Sequence, residues 1–449
     1  MTSATTELAM WLLLWIILAG VLMLVSWRRS AIGAGLVFAY VANFAVIHWF
    51  GALVHALPWN QFADSTNTVV GFRESSWGFA AFVVGSLFLA PWLDRRRPHA
   101  GRSPADPDIG KRLAWAYLLI GLAFWPLSFT QLIQIPSMSS VIAMGKQMTL
   151  VGICLHCWLA WLRWDLVSLR NWLLLAAAFP AITVITQGFL GYGVAAVIMT
   201  CAFIATFYKP RWPVVVFGLA GVYLGLSLYL AYASSRGAIR ESVWGGASFE
   251  NRVSTVGQAL SNFSLFDIRD DLHLRSVDAR LNQNELVGAA VAYTPSRQDY
   301  AYGATYTQAL ISLVPRIVWP DKPVKAGSMG LVTVYTGIYF DVNTSVGLGQ
   351  VLEFYINYGR FGVLIGFLLL GALLGQIDRR AARSLHAGDW HGFALWFLIG
   401  IGVLQVGGSL VEVTASMAAA AVAAWAVRYW LLGRMRARSP KIVPQHLRY

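Results

Sequence analysis

Eleven apolar runs, each close to the length that crosses a lipid bilayer, constrain this chain more than any other feature. They fall at 8–27, 31–57, 77–93, 113–132, 140–162, 171–187, 190–208, 212–234, 347–376, 392–409 and 412–432. Hydrocarbon about 30 Å thick takes roughly 20 helical residues to cross, and within it every backbone polar group must be bonded inside the protein. The expectation is an all-α polytopic membrane protein with about 11 transmembrane helices. Charge supports it: 12% of the residues are Asp, Glu, Lys or Arg, about half the share that a water-facing surface carries. The 20 Trp suit a protein with two headgroup interfaces. The first run follows only Glu7, with no basic segment before it, and precedes Arg28 and Arg29. It reads as a retained helix and not as a signal peptide.

Orientation follows from the basic residues. Alternate connections carry Arg28 and Arg29, then Arg95–Arg97, Arg102, Lys111 and Arg112, then Arg163 and Arg170, then Lys209 and Arg211. The series continues with Arg379, Arg380 and Arg383 and a tail from Arg428 to Arg448, so that 21 of the 34 basic residues fall on one side. Arg73 and Lys146 are the exceptions in the short connections between. Cytoplasmic loops hold the excess of Lys and Arg, which places the N-terminus outside and the C-terminus inside. The chain divides into helices 1–8 (1–234), a large external loop (235–346), helices 9–11 (347–432) and a basic cytoplasmic tail (433–449).

That loop holds ten basic and ten acidic residues, so the net charge of +13 lies entirely elsewhere. The excess serves orientation and anionic lipid; no stripe of basic and stacking residues marks a nucleic-acid partner. Glu250–Phe266 and Ser276–Tyr293 read as amphipathic helices. Ala304–Trp319 reads as a helix on the membrane surface, and Gly330–Tyr335 as strand or irregular. Arg280 and Asn284, four apart, share a helical face.

Arginine binds phosphate oxygens in pairs and is always charged, which suits a lipid-linked pyrophosphate at a bilayer surface. Arg280, Arg297 and Arg316 are the leading candidates; the alternative is that they pair with nearby acids. Glu353, Asn357 and Arg360 share one face of the ninth run, either paired structurally or facing a cavity. Asp267–Asp271 lacks the glycine and alternation of a calcium loop. Cys154, His156 and Cys157 lack a second ligand pair. No metal or other cofactor is expected.

The stretch Val314-Pro315-Arg316-Ile317-Val318-Trp319-Pro320-Asp321-Lys322-Pro323 resembles a segment of the bacterial oligosaccharide repeat-unit polymerases, the Wzy-type O-antigen and exopolysaccharide polymerases. Arg280-Leu281-Asn282 and Tyr302-Gly303-Ala304-Thr305-Tyr306 before it, and Glu353–Gly362 after it, are similar to segments of the same family. The resemblance covers about 280–366. It implies a GT-C-like, multi-pass protein of the bacterial inner membrane with its active site facing the periplasm. The substrates implied are undecaprenyl-pyrophosphate-linked oligosaccharides in membrane lipid, with a chain-length regulator as a further partner. On that reading Arg280, Arg297, Arg316 and Lys322 stabilise the departing pyrophosphate, and Glu353, Asp299 and Glu285 are the candidate bases. Asn282, Tyr302, Asn357 and Arg360 complete the substrate site. Two alternatives are an O-antigen ligase that moves polymer to lipid A-core and a non-enzymatic flippase for the same lipid-linked sugars.

Overall fold

The structure, a computed structural model, describes residues 3–28, 33–94, 107–127, 130, 138–208, 212–261, 263–314, 318–319, 321–323, 328–340 and 346–438. Over these residues it is helical, with no strands. The first seven helices are α1 (Ser3–Arg28), α2 (Leu36–Ala56), α3 (Thr66–Asp94), α4 (Pro107–Leu127), α5 (Met138–Leu162), α6 (Leu166–Gln187) and α7 (Leu190–Phe207). A long α8 (Trp212–Trp244) leads into five short helices: α9 (Phe249–Ser261), α10 (Asp271–Leu281), α11 (Asn284–Tyr293), α12 (Ala304–Ser312) and α13 (Met329–Thr336). The chain closes with α14 (Gln350–His386), α15 (Trp390–Val403) and α16 (Leu410–Arg438).

Each of the eleven apolar runs overlaps one of these helices, and among the described residues eight helices are long and apolar enough to cross a membrane by length and composition. The boundaries move in informative ways. α3 begins at Thr66, eleven residues ahead of the run at 77, and so draws Glu74 into the helix. α8 runs past 234 to Trp244. α15 has 14 residues, a length of about 21 Å that falls short of the hydrocarbon thickness. The run 392–409 breaks at Leu404 because the next six residues pair with another irregular segment. Gly349 N donates to Gly407 O at 3.1 Å and Gln350 N to Val406 O at 3.2 Å. Non-helical backbone in a membrane protein is stable where protein satisfies it, as here.

The core is an aromatic seam between α1, α2, α3 and α14. Trp15 lies 4.4 Å from Phe79, Tyr40 stacks on Phe82 at 4.5 Å, and Phe44 meets Phe367 at 5.3 Å. Helix association in lipid relies on such close packing and on interhelical hydrogen bonds.

The short helices are wedged into this bundle. α11 packs on α3, and α10 on α2. A Cβ at Gly71 would sit 1.9 Å from Asn284 O, and one at Gly288 2.0 Å from Asn67 O, so two small residues let α3 and α11 cross backbone to backbone. The expected single helix over Ser276–Tyr293 is two, because Asn282 leaves helical geometry (φ −122°, ψ 76°) and Gln283 N donates to Ile47 O on α2 at 2.8 Å. Arg280 and Asn284 therefore do not share a helical face. Gly330–Tyr335 is helical within α13. The surface helix expected over Ala304–Trp319 stops at Ser312, and residues 315–317 lie outside the described set.

Candidate functional site

Three clusters stand where the inserted helices meet the long ones. The first is a buried polar chain. Asn284, fully buried, places Oδ1 2.7 Å from His48 Nδ1 and accepts there from Ser75 Oγ at 3.1 Å. Its Nδ2 donates to His48 O and to Asn282 Oδ1. Asn282 donates to Thr68 Oγ1 at 2.9 Å and Asp278 Oδ1 at 2.6 Å, and Asp278 also meets His55 Nε2 at 2.9 Å. Glu285 accepts from Asn67 at 2.8 Å and Thr68 at 3.2 Å. Buried amides bonded at every turn hold α10 and α11 against α2 and α3 in one register. Asn282 and Glu285 thus have protein partners that fix the insertion.

The second cluster surrounds the break in α14. Tyr358 (φ −148°) and Gly359 (φ 58°, ψ −147°) leave the helix, and the second of these conformations is open essentially to glycine alone. The break frees Ile356 O, which accepts from Ala301 N at 2.8 Å. Fully buried Asn357 accepts from Gly303 N at 2.9 Å and donates to Thr305 Oγ1 at 2.8 Å. The turn before α12 and the break in α14 are therefore one interlocked unit.

The same break separates the residues that a continuous helix would have aligned. Glu353, fully buried, accepts from Leu410 N at 2.6 Å and so caps the start of α16, where a carboxylate also opposes the positive helix end. Arg360 turns instead to Glu74 on α3, with Nε 3.1 Å from both carboxylate oxygens and Nη2 2.5 Å from Oε1. Glu74 is 2% exposed and the Arg360 side chain 48%. A Glu353–Arg360 pair does not form. Glu74 lies three residues ahead of the apolar run at 77, and its signal in the sequence is an acid within one helical turn of that run.

The third cluster is basic. Arg236 and Arg240, one turn apart beyond the apolar part of α8, feel the charge of the exposed Arg280 on α10, and the two helices touch where the Tyr229 hydroxyl donates to Ser276 O at 3.2 Å. Burial, then the charges of Arg280 and Arg240, push Arg236 below its ordinary value. Burial does the same to Arg240, where Arg280 again acts in that direction. Arg240 rests on the rings of Phe189 at 4.5 Å and Trp244 at 5.1 Å, and its Nε is buried without a hydrogen bond. Among the described residues no carboxylate pairs with any of the three. Like charges near one another with no paired carboxylate are a candidate site for an anion. Arg236 and Arg240 were not singled out in the sequence; their spacing of four on one helix was the signal.

Other expected residues lie apart from these clusters. Lys322 donates to Ser312 O at 3.1 Å and Val314 O at 2.9 Å, placing its charge on the carbonyl end of α12. Arg297 is exposed and lies over the Tyr293 ring at 5.9 Å. Asp299 is exposed, next to Tyr300. Tyr302 is 67% exposed. Arg316 lies outside the described residues. In the acidic run, Asp270 caps α10 through Leu272 N and Asp271 pairs with Arg275. His156 stacks on Trp172 at 4.2 Å.

The fold is that of a polytopic helical membrane protein with short helices inserted into its bundle. The chain belongs to the family described as Domain of unknown function (DUF8712), which it matches over residues 77–417. It is also similar to the O-antigen polymerases of Salmonella typhimurium and Salmonella typhi, with 27% identity over 135 residues. That stretch covers 29% of this chain and 32% of each relative, so the match spans about a third of their length. No solved structure matches the chain significantly.

Proposed function

We propose that this protein polymerises oligosaccharide repeat units carried on a polyprenyl pyrophosphate, at the periplasmic face of the bacterial inner membrane. The observation that carries the reading is the similarity to O-antigen polymerases, joined by the contact of α8 with α10, which bear Arg236, Arg240 and Arg280 with no ion pair to any of them among the described residues. Lipid pyrophosphate leaves as an anion, and preorganised donors aimed at that developing charge lower the barrier.

In the proposed step an acceptor hydroxyl on one lipid-linked unit attacks the anomeric carbon of another. A new glycosidic C–O bond forms, the anomeric bond to pyrophosphate breaks, and the electron pair leaves on the polyprenyl pyrophosphate. The hydroxyl proton passes to a general base. Of the three candidate carboxylates, Glu353 holds Leu410 N and Glu285 holds Asn67 and Thr68. Asp299 is exposed and has no hydrogen bond or ion pair among the described residues, which favours it as the base.

The test uses purified protein in lipid with polyprenyl-pyrophosphate-linked repeat units, without nucleotide sugar. Products longer than one unit are expected, and a chelator should not reduce them, since no metal is proposed. Transfer only to added lipid A-core would make the protein a ligase. Neither product in protein of native Tm would overturn glycosyl transfer. A chain-length regulator is a proposed partner, tested by whether its co-reconstitution narrows the polymer lengths.

A further inference from the structure

Five tyrosines gather where the turn before α12 meets the break in α14. Tyr300 and Tyr302 ring centres are 6.1 Å apart at 80°, Tyr302 and Tyr358 6.4 Å at 71°, and Tyr306 and Tyr358 6.2 Å at 43°. Tyr355 joins at 6.4 Å from Tyr300. The rings form an angular floor: Tyr302 is 67% and Tyr358 47% exposed, and Tyr355 lies beneath them at 7%.

The backbone is bent to build this floor. Tyr302 has φ +44°, an unfavourable conformation for a bulky side chain. Asn357 secures it by binding Gly303 N. A Cβ at Gly303 would sit 3.0 Å from the Tyr358 hydroxyl, and one at Gly359 2.9 Å from the Tyr300 hydroxyl. Burial of Tyr302 cannot account for the strain, since its ring is largely exposed. Strained backbone that the surroundings over-determine is a mark of ligand sites.

Arg360 stands in the same unit, one residue past the break. Its Nε and Nη2 are held by Glu74, while Nη1 has no protein partner among the described residues. Glu74 neutralises the charge, so this corner offers hydrogen-bond donors and aromatic faces without attraction for a pyrophosphate. Phenol rings present apolar faces to ring C–H groups and hydroxyls to polar edges.

We propose that this floor is a saccharide subsite, in which a neutral pyranose ring stacks on one of Tyr302 and Tyr358 with its edge against the other, and Arg360 Nη1 donates to one of its hydroxyls. The proposal deepens the polymerase reading and takes its ligand, the repeat-unit sugar, from it. The subsite is separate in chemistry from the arginine cluster, one recognising sugar and the other pyrophosphate.

The experiment uses full-length protein in nanodiscs of phosphatidylethanolamine and phosphatidylglycerol. Its probe is the free oligosaccharide released by mild acid from the lipid-linked pool of cells that lack the protein. Saturation-transfer NMR and calorimetry should detect binding to the wild type. Tyr302→Ala and Tyr358→Ala should each weaken it roughly tenfold, Tyr302→Phe should restore it to within about threefold, and Arg275→Ala, at an exposed ion pair with Asp271, should leave it unchanged. Equal affinity in wild type and both alanine variants overturns the subsite, as does the absence of binding to wild type of native Tm. Sugar binding without polymer formation instead overturns the polymerase reading and leaves the subsite standing.

Discussion

Two arginine sites in this protein face opposite electrostatic circumstances. Arg360 has its counter-ion in place, held in two-pronged fashion by a carboxylate that the fold buries completely on α3. Arg236 and Arg240 are pushed below their ordinary value, first by burial and also by the Arg280 charge, and no carboxylate pairs with any of the three among the described residues. An arginine matched by the protein holds helices together; a group of arginines left unmatched costs stability in the absence of ligand and returns it when an anion binds. The comparison assigns Arg360 to architecture and to neutral recognition, and the trio to charge.

The largest effect that tests this contrast is on catalysis. Arg240→Ala and Arg280→Ala should each reduce polymer formation by about 10²–10³-fold, the loss typical of one charge-stabilising group. Arg280→Ala should not lower Tm, since Arg280 is exposed and lies beside like charge, whereas Arg240→Ala also loses the contacts with Phe189 and Trp244 and should lower it slightly. Polymer ladders of wild-type length from either variant would break the assignment of the trio.

Arg360→Ala should act the other way, on stability first. It leaves the Glu74 carboxylate buried without its partner, at a cost of about 1–3 kcal/mol after allowing for the exposure of the guanidinium. Replacing both as Glu74→Leu with Arg360→Met should recover most of that loss, read as Tm in detergent. A stable Arg360→Ala protein that binds lipid pyrophosphate poorly would move Arg360 into the anion site and erase the distinction.

Gly359→Ala should cost about 1–3 kcal/mol by forcing a Cβ into a conformation that excludes it. An unchanged Tm would mean that the break in α14 is not maintained. The smallest effect belongs to Lys322→Met, about 0.3–1 kcal/mol for loss of a cation at a helix C-terminus, with polymer formation unchanged. A catalytic loss comparable to that of Arg280→Ala would return Lys322 to the arginine site.

Hydropathy was enough to locate every long helix, because crossing hydrocarbon imposes a length and a composition that the residues themselves display. Where helices end was less legible. The run 392–409 reads as one span, yet Val406 and Gly407 pair with Gly349 and Gln350, which are more than 50 residues away in sequence. The split of Ser276–Tyr293 likewise depends on a carbonyl of α2 that accepts from Gln283 N. Local periodicity carries no record of such partners.

The candidate site divides the same way. Residue type and order marked an arginine-rich insertion and a Glu353–Arg360 stretch of polar groups in an apolar run, and the family resemblance drew attention to Tyr302–Tyr306. Which side chains act together was decided by tertiary structure. A two-residue break at Tyr358–Gly359 sends Glu353 to the start of α16 and Arg360 to Glu74. The extension of α8 beyond its apolar part brings Arg236 and Arg240 to Arg280. Membrane burial can be read from the sequence because it acts on each residue in turn. Ion pairing and its absence depend on which helices cross, and only the packed bundle determines that.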